Sequence, residues 1–259
     1  MKRGVLLICF LYSIRLVYAN DNYLVEYIGI ERGLSNNAVT CIYQDHHGFM
    51  WFGTYDGLNR YDGYSFKVFH NIIGDSTSLR DNHIYTIEED GNHNLWVGCV
   101  KGISIFNLAN SRFSIPRIIP WNSSGLQFIS DGVTVIKSVD KGKYLLAGTQ
   151  EKGLLFFEGN SQTGIQIPLY DLKGREASYG FTSIEIDSAG QQAWVFIQEV
   201  GLYRFNFRTK TLKAVNTSIR YILHPHLRLQ RKIFPFLFHQ SSTKKLIRIL
   251  REAKTLSGM

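Results

Sequence analysis

The chain has 259 residues, 44% of them hydrophobic and 14% aromatic, with 23 Gly and 5 Pro. That much apolar material suffices for a buried core and excludes a disordered chain, and the excess of Gly and aromatics over Pro fits short strands joined by tight turns better than helices. The formal charge of +8 does not make the body of the chain basic, because residues 1–216 carry 20 Lys and Arg against 20 Asp and Glu, and the last 43 residues carry nine bases and the single acid Glu252.

In chain order, Lys2 and Arg3 precede the apolar run Val5 to Tyr12, and Val17, Tyr18 and Ala19 form a small-residue cleavage pattern before Asn20. Residues 1–19 are therefore expected to be a secretory signal peptide. Arg15 interrupts the apolar stretch, which argues against a membrane-spanning helix, and no span is expected after cleavage. Cleavage would remove Cys9 and leave Cys41 and Cys99 in a compartment that permits a disulfide. Two cysteines make no framework, and they are read as buried thiols in strands.

Four stretches then follow one plan. AVTCIYQD (38–45) alternates like a half-buried strand and ends in Asp; GFMWFGTYDGL (48–58) follows, with Trp51, Gly53 and Gly57. HIYTIEED (83–90) leads to NLWVGCVKGI (94–103), with Trp96, Gly98 and Gly102. VTVIKSVD (133–140) leads to YLLAGTQEKGL (144–154), where Leu146 takes the Trp place before Gly148 and Gly153. FTSIEID (181–187) leads to AWVFIQEVGL (193–202), where Trp194 returns, Phe196 replaces the first Gly and Gly201 keeps the second. Successive anchors lie 45, 50 and 48 residues apart.

Asp followed by Gly between two apolar runs signals a hairpin, and each second Gly opens another alternating run such as SIFNLANSRF. The expected unit is a strand, an Asp/Gly turn, an anchor strand, a Gly turn, a strand, and a last strand or loop. Four short strands per repeat of this length describe a β-propeller blade, whereas stacked helical repeats would show an apolar period of 3.6. The expected fold class is all-β, with about four four-stranded blades of an incomplete propeller in residues 20–216 and an irregular or helical basic C-terminal tail. One such sheet cannot bury both faces alone, so blades must pack on neighbours.

A fifth unit begins at NTSIRYIL (216–223) and stops where Pro225 replaces the turn Asp. Residues 217–259 are expected to be an abortive fifth blade and an atypical basic tail, read out of the ancestral frame. The alternative is a genuine basic element, since KKLIRILREAK places Leu246, Ile249 and Leu250 on one side of a helix and bases on the other, as a membrane-surface helix does.

GFMWFGTYDGLNRYDG, with the blade-opening segments GLSNNAVTCIYQD (33–45) and SLRDNHIYTIEED (78–90), resembles the two-component regulator propeller repeats of the periplasmic sensor region of Bacteroidetes hybrid two-component systems. The resemblance covers residues 22–216 and is strongest in the first two units. It implies a periplasmic sensor, in many members a sensor of glycan fragments, whose full-length form carries a histidine kinase, a receiver and often a DNA-binding domain. This chain contains no kinase histidine box, nucleotide-binding glycines or acidic receiver pocket, so it is expected to be an N-terminal sensor fragment, truncated before those domains and without enzymatic activity.

Trp51, Trp96 and Trp194 repeat because packing repeats, and with Gly53, Gly57, Gly98, Gly102, Gly148, Gly153 and Gly201 they are read as structural anchors. Trp121 falls outside the frame, between the second and third units, and is the candidate for stacking on a sugar. His46 and His47 are read as solvated turn residues, since neighbours on a turn rarely converge on one ion. Glu88/Glu89 and Glu185/Asp187 are strand-end residues, facing opposite ways or lying on an edge, without the geometry for acid/base work. No catalytic residue, metal site or cofactor is expected, and no nucleic-acid partner. Two other outcomes are weighed against a ligand sensor: a secreted propeller glycan lyase or hydrolase, and a non-functional product whose unclosed blade edges self-associate.

Overall fold

The computed structural model describes residues 27–158, 161–170, 174–176, 180–187, 192–197 and 200–215. The expected signal peptide and the basic tail lie outside the described residues. Among the described residues, no helix is long and apolar enough to cross a membrane.

The described chain is all-β and forms four sheets in sequence order. The first blade is the antiparallel meander β1 (Val39–Gln44), β2 (Met50–Thr54), β3 (Gly57–Tyr61) and β4 (Phe66–Phe69). The second comprises β5 (Ile84–Glu89), β6 (Asn94–Cys99), β7 (Gly102–Asn107) and β8 (Arg112–Ser114). Between it and the third blade run β9 (Arg117–Ile119) and β10 (Gln127–Phe128). The third blade is β11 (Val133–Val139), β12 (Tyr144–Thr149), β13 (Leu154–Glu158) and β14 (Thr163–Ile167), and the fourth is β15 (Phe181–Ile186), β16 (Gln192–Ile197), β17 (Gly201–Asn206) and β18 (Thr211–Ala214). Each unit's last segment, expected as strand or loop, is a strand. The third sheet gains two strands, because β9 pairs in parallel with β14 (Gly164 opposite Ile118) and β10 pairs with β9. The added strands cover an edge that β14 would otherwise present unpaired.

The core lies between blades. Trp51, Leu58, Ile84, Val97 and Phe106 bury the first interface; Trp96, Ile103, Ile136, Leu145 and Phe157 the second; Leu146, Phe156, Phe181, Val195 and Phe205 the third. Each anchor position thus points at the following blade, with Trp51 against the ring of Phe106 (centroids 5.4 Å apart) and Trp96 against Phe157 (4.8 Å). Trp194 is only half-buried, because it occupies the same position on the far face of the fourth blade. The first strands β1, β5, β11 and β15 contact one another in succession and form the inner edge of the stack.

Every first strand carries a register shift, at Val39/Cys41, Ile84/Thr86, Val133/Val135 and Phe181/Ser183. A bulge there sharpens the twist of the strand. Opposite it, Gly53, Gly98 and Gly148 let the next blade's first strand approach: a Cβ on Gly53 would stand 2.6 Å from Ile84, one on Gly98 would stand 2.6 Å from the Val133 carbonyl, and one on Gly148 would collide with Phe181. Phe196 holds this position in the fourth blade, on the face that looks away from the third. The turn glycines Gly57, Gly102, Gly153 and Gly201 have φ of 108°, 120°, 85° and 120°, a region that costs other residues strain.

Candidate functional site

Because the strands are antiparallel, each blade has two ends. The β1–β2 type turns carrying Asp45, Asp90 and Asp140 lie at one end. The Gly57-type turns and the blade-to-blade loops share the other, where Gly57 N–H donates to the Asn82 carbonyl (2.7 Å) and Asn82 Nδ2 donates to Asp56 (3.1 Å).

The turn aspartates do more than turn the chain. Asp45, 4% exposed, accepts hydrogen bonds from the backbone N–H groups of His47 and Phe49 (both 3.0 Å) and, through Oδ2, from Trp51 Nε1 (2.7 Å). Asp90 repeats the arrangement, accepting from Asn92 N and Asn94 N and from Trp96 Nε1 (2.8 Å). Charge-assisted bonds of this length satisfy an indole N–H that burial would otherwise strand. The sequence offered a clue in the fixed spacing of six residues from Asp to Trp. In the third blade Leu146 has no side-chain N–H to satisfy, and Asp140 is exposed; its carbonyl accepts from Lys143 N–H (3.1 Å) around Lys141 and Gly142, whose φ of 55° and 85° are those of a type I′ turn. The Trp and Gly anchors therefore sit in packing and turn positions.

Cys41 and Cys99 are free and buried in the first interface. Burial pushes both thiols up to about 12, so neither is an available nucleophile near neutral pH.

Trp121 lies at the loop end. It is 42% exposed, and its Nε1 donates to Glu176 Oε1 at 3.0 Å. That bond ties the insert between the second and third blades to the connection between the third and fourth. Glu176 also forms a β-bridge with Tyr170, another exposed aromatic, whose carbonyl accepts from Tyr203 Oη (3.0 Å). On the same insert, Phe128 is exposed and lies under the guanidinium groups of Arg117 (5.0 Å) and Arg80 (5.7 Å). An exposed indole whose N–H holds a carboxylate suits a polyhydroxylated ligand, which offers apolar C–H faces and hydroxyl edges. Sequence spacing singled out Trp121 but gave no sign of Glu176, 55 residues away, or of Tyr170.

At the turn end, three polar side chains meet. His46 Nδ1 is 2.6 Å and His93 Nδ1 2.7 Å from the same oxygen, Oε1 of Glu89, and the imidazole centroids are 3.8 Å apart. Glu89 Oε2 accepts from the His46 backbone N–H (3.1 Å). His47, the neighbour of His46 on the turn, lies with its ring tilted at 42° to that of His46, centroids 3.8 Å apart, and stays exposed. Glu88 faces the other way, accepting from Ser138 N (3.0 Å) across the interface with the third blade, and burial holds its carboxyl above the usual range. Adjacent acids on β5 thus serve opposite blade interfaces.

A family model described as two component regulator propeller matches residues 33–56 and 78–101, the openings and anchor strands of the first two blades. Over 76 residues the chain is 42% identical to histidine kinase P4 of Formosa agariphila, a match that covers 29% of this chain and 6% of that protein. Among solved structures, the chain is similar to the extracellular domain of the B. thetaiotaomicron protein BT4673, described both as a one component and as a hybrid two component system. The two structures match with 21% and 20% identity, each at a TM-score of 0.56, covering 74% and 75% of this chain and 27% of theirs. The chain thus spans about a quarter of those domains, and at this identity the likeness concerns the fold.

Proposed function

We propose that this chain, whose first two blades carry two-component regulator propeller repeats, is a ligand-sensing propeller segment of a bacterial two-component sensor, located in the periplasm, and that its ligand is an oligosaccharide. The repeats support the sensor reading, and the targeting pattern of residues 1–19 supports the location. The observation that carries the ligand class is Trp121, exposed outside the repeat frame and joined to Glu176 across two successive blade connections.

A sugar ring stacked on Trp121, with hydroxyls on Glu176, bridges the two connections. Binding then favours the arrangement in which these loops are held together, which is the differential interaction a sensor needs in order to pass a signal to a partner. The Glu176 carboxylate is engaged by an indole N–H, which supports recognition better than a free acid or base for cleavage.

The test is a melting-temperature screen of the full chain against a panel of oligosaccharides, with the sugars recovered and chromatographed afterwards. A saturable rise for one class of sugar, recovered intact and lost in Trp121→Ala, is expected. No rise with any oligosaccharide overturns the ligand class, and cleaved products overturn the sensor reading in favour of a lyase or hydrolase.

A further inference from the structure

The turn end holds a donor set that hydrogen bonding alone does not require. The donor atoms of His46, Glu89 and His93 all lie within 4.8 Å of one another. They come from two blades: His46 from the β1–β2 turn, Glu89 from the end of β5, and His93 from the β5–β6 turn. Each is held by its backbone. His46 N–H is bonded to Glu89 Oε2, and His93 N–H donates to the Asp90 carbonyl (3.1 Å) with His93 itself at φ of 63°. Asp90 is in turn fixed by the Trp96 indole, so the turn carrying His93 is anchored in the blade core.

From this geometry we infer that His46, Glu89 and His93 form a binding site for a first-row divalent cation of the zinc class. Two imidazole nitrogens and one carboxylate oxygen are a borderline donor set, which favours Zn²⁺ and its neighbours over Ca²⁺ or Mg²⁺, cations that prefer oxygen alone. On a tetrahedral ion with bonds of about 2.0–2.1 Å, donors stand about 3.3 Å apart. The present nitrogen–oxygen separations of 2.6 and 2.7 Å therefore widen by about 0.7 Å on binding, a small swing for exposed rings. The Glu89 side chain is 9% exposed, whereas His46 and His93 are 29% and 57% exposed, so the carboxylate forms the floor and the open side leaves a position for water. The bound ion staples the first blade to the second at the end opposite Trp121, independently of what the loop end binds.

Metal-stripped, untagged full chain is titrated with Co²⁺, followed by its visible d–d absorption, and the Co²⁺ is then displaced with Zn²⁺. One equivalent per chain, with the intense absorption of a four-coordinate ion, is expected, together with a Zn²⁺-dependent rise in melting temperature. His46→Gln and His93→Gln each weaken binding by at least about tenfold, since loss of a ligand exceeds the effect of losing one of its supports. His47→Gln leaves binding unchanged, and metal-free melting curves of all variants confirm that they fold. Absence of saturable binding, or equal affinity in the His46→Gln/His93→Gln double variant, overturns the site.

Discussion

At the scale of single residues, the turn aspartates show why one residue type at one repeat position has two roles. Asp45 and Asp140 both follow a first strand, yet Asp45 is buried under an indole N–H and Asp140 faces solvent. Asp45→Asn puts an amide donor against the Trp51 N–H and is expected to cost about 1–3 kcal/mol in denaturant unfolding. Asp140→Asn, at a position where Asn accepts positive φ, is expected to stay within about 0.5 kcal/mol of wild type. Glu88 supplies a pH dependence. Its carboxyl is raised above the ordinary 4.5, chiefly by burial, against the opposing effects of Lys137 and the Ser138 N–H. An acid with a raised folded value holds its proton more tightly when folded. Its contribution is therefore most favourable below 4.5 and is lost as pH climbs through the raised value. Glu88→Gln, which keeps the oxygen facing Ser138, is expected to match or exceed wild-type stability at pH 7 and to lose that advantage at pH 4; thermal melts at the two pH values give the comparison.

At the scale of elements, the strands and turns were legible in the sequence because they obey local rules. Alternation located β1, β5, β11 and β15, and the Asp and Gly positions located the turns between them. The bulges were not legible, since they arise from pairing, nor were β9 and β10, whose short segments carry too little pattern to separate from a loop. The Gly53 position was recognised as recurrent, but its reason, the approach of the next blade, needed three dimensions. It leads to a test: Gly98→Ala drives a methyl against the Val133 carbonyl and is expected to cost about 1–3 kcal/mol, as overpacking does. Gly125→Ala, whose nearest neighbour is the Ser123 hydroxyl at 3.7 Å, is the matched control and is expected to change stability little. Both candidate sites were half-legible for the same reason. Trp121 and the pair His46/His47 stood out in the sequence, while Glu176, Glu89 and His93 reach them from a different blade or connection, and no spacing along the chain encodes that.

At the scale of the whole molecule, each blade buries one face on its predecessor and the other on its successor, so the end blades differ from the middle ones. Ile42 on the first blade is 54% exposed, beside Phe52, Tyr61 and Phe66, whose rings cluster on one another. The fourth blade presents the half-buried Trp194 and Phe196. Among the described residues, large apolar groups on these two sheet faces reach solvent, and such groups favour association. Light scattering coupled to size-exclusion chromatography is expected to give a mass for the full chain that rises with concentration, and Ile42→Lys with Phe196→Ser is expected to lower it. In the proposed division of labour the buried tryptophans hold blades together and the exposed one would meet the ligand. Calorimetric titration of wild type, Trp51→Phe and Trp121→Ala with the oligosaccharide that most raises the melting temperature tests it most directly. Trp51→Phe is expected to melt earlier yet bind with wild-type affinity, and Trp121→Ala to melt normally yet lose at least tenfold in affinity, about 1.4 kcal/mol; unchanged binding by Trp121→Ala, or lost binding by folded Trp51→Phe, would contradict it.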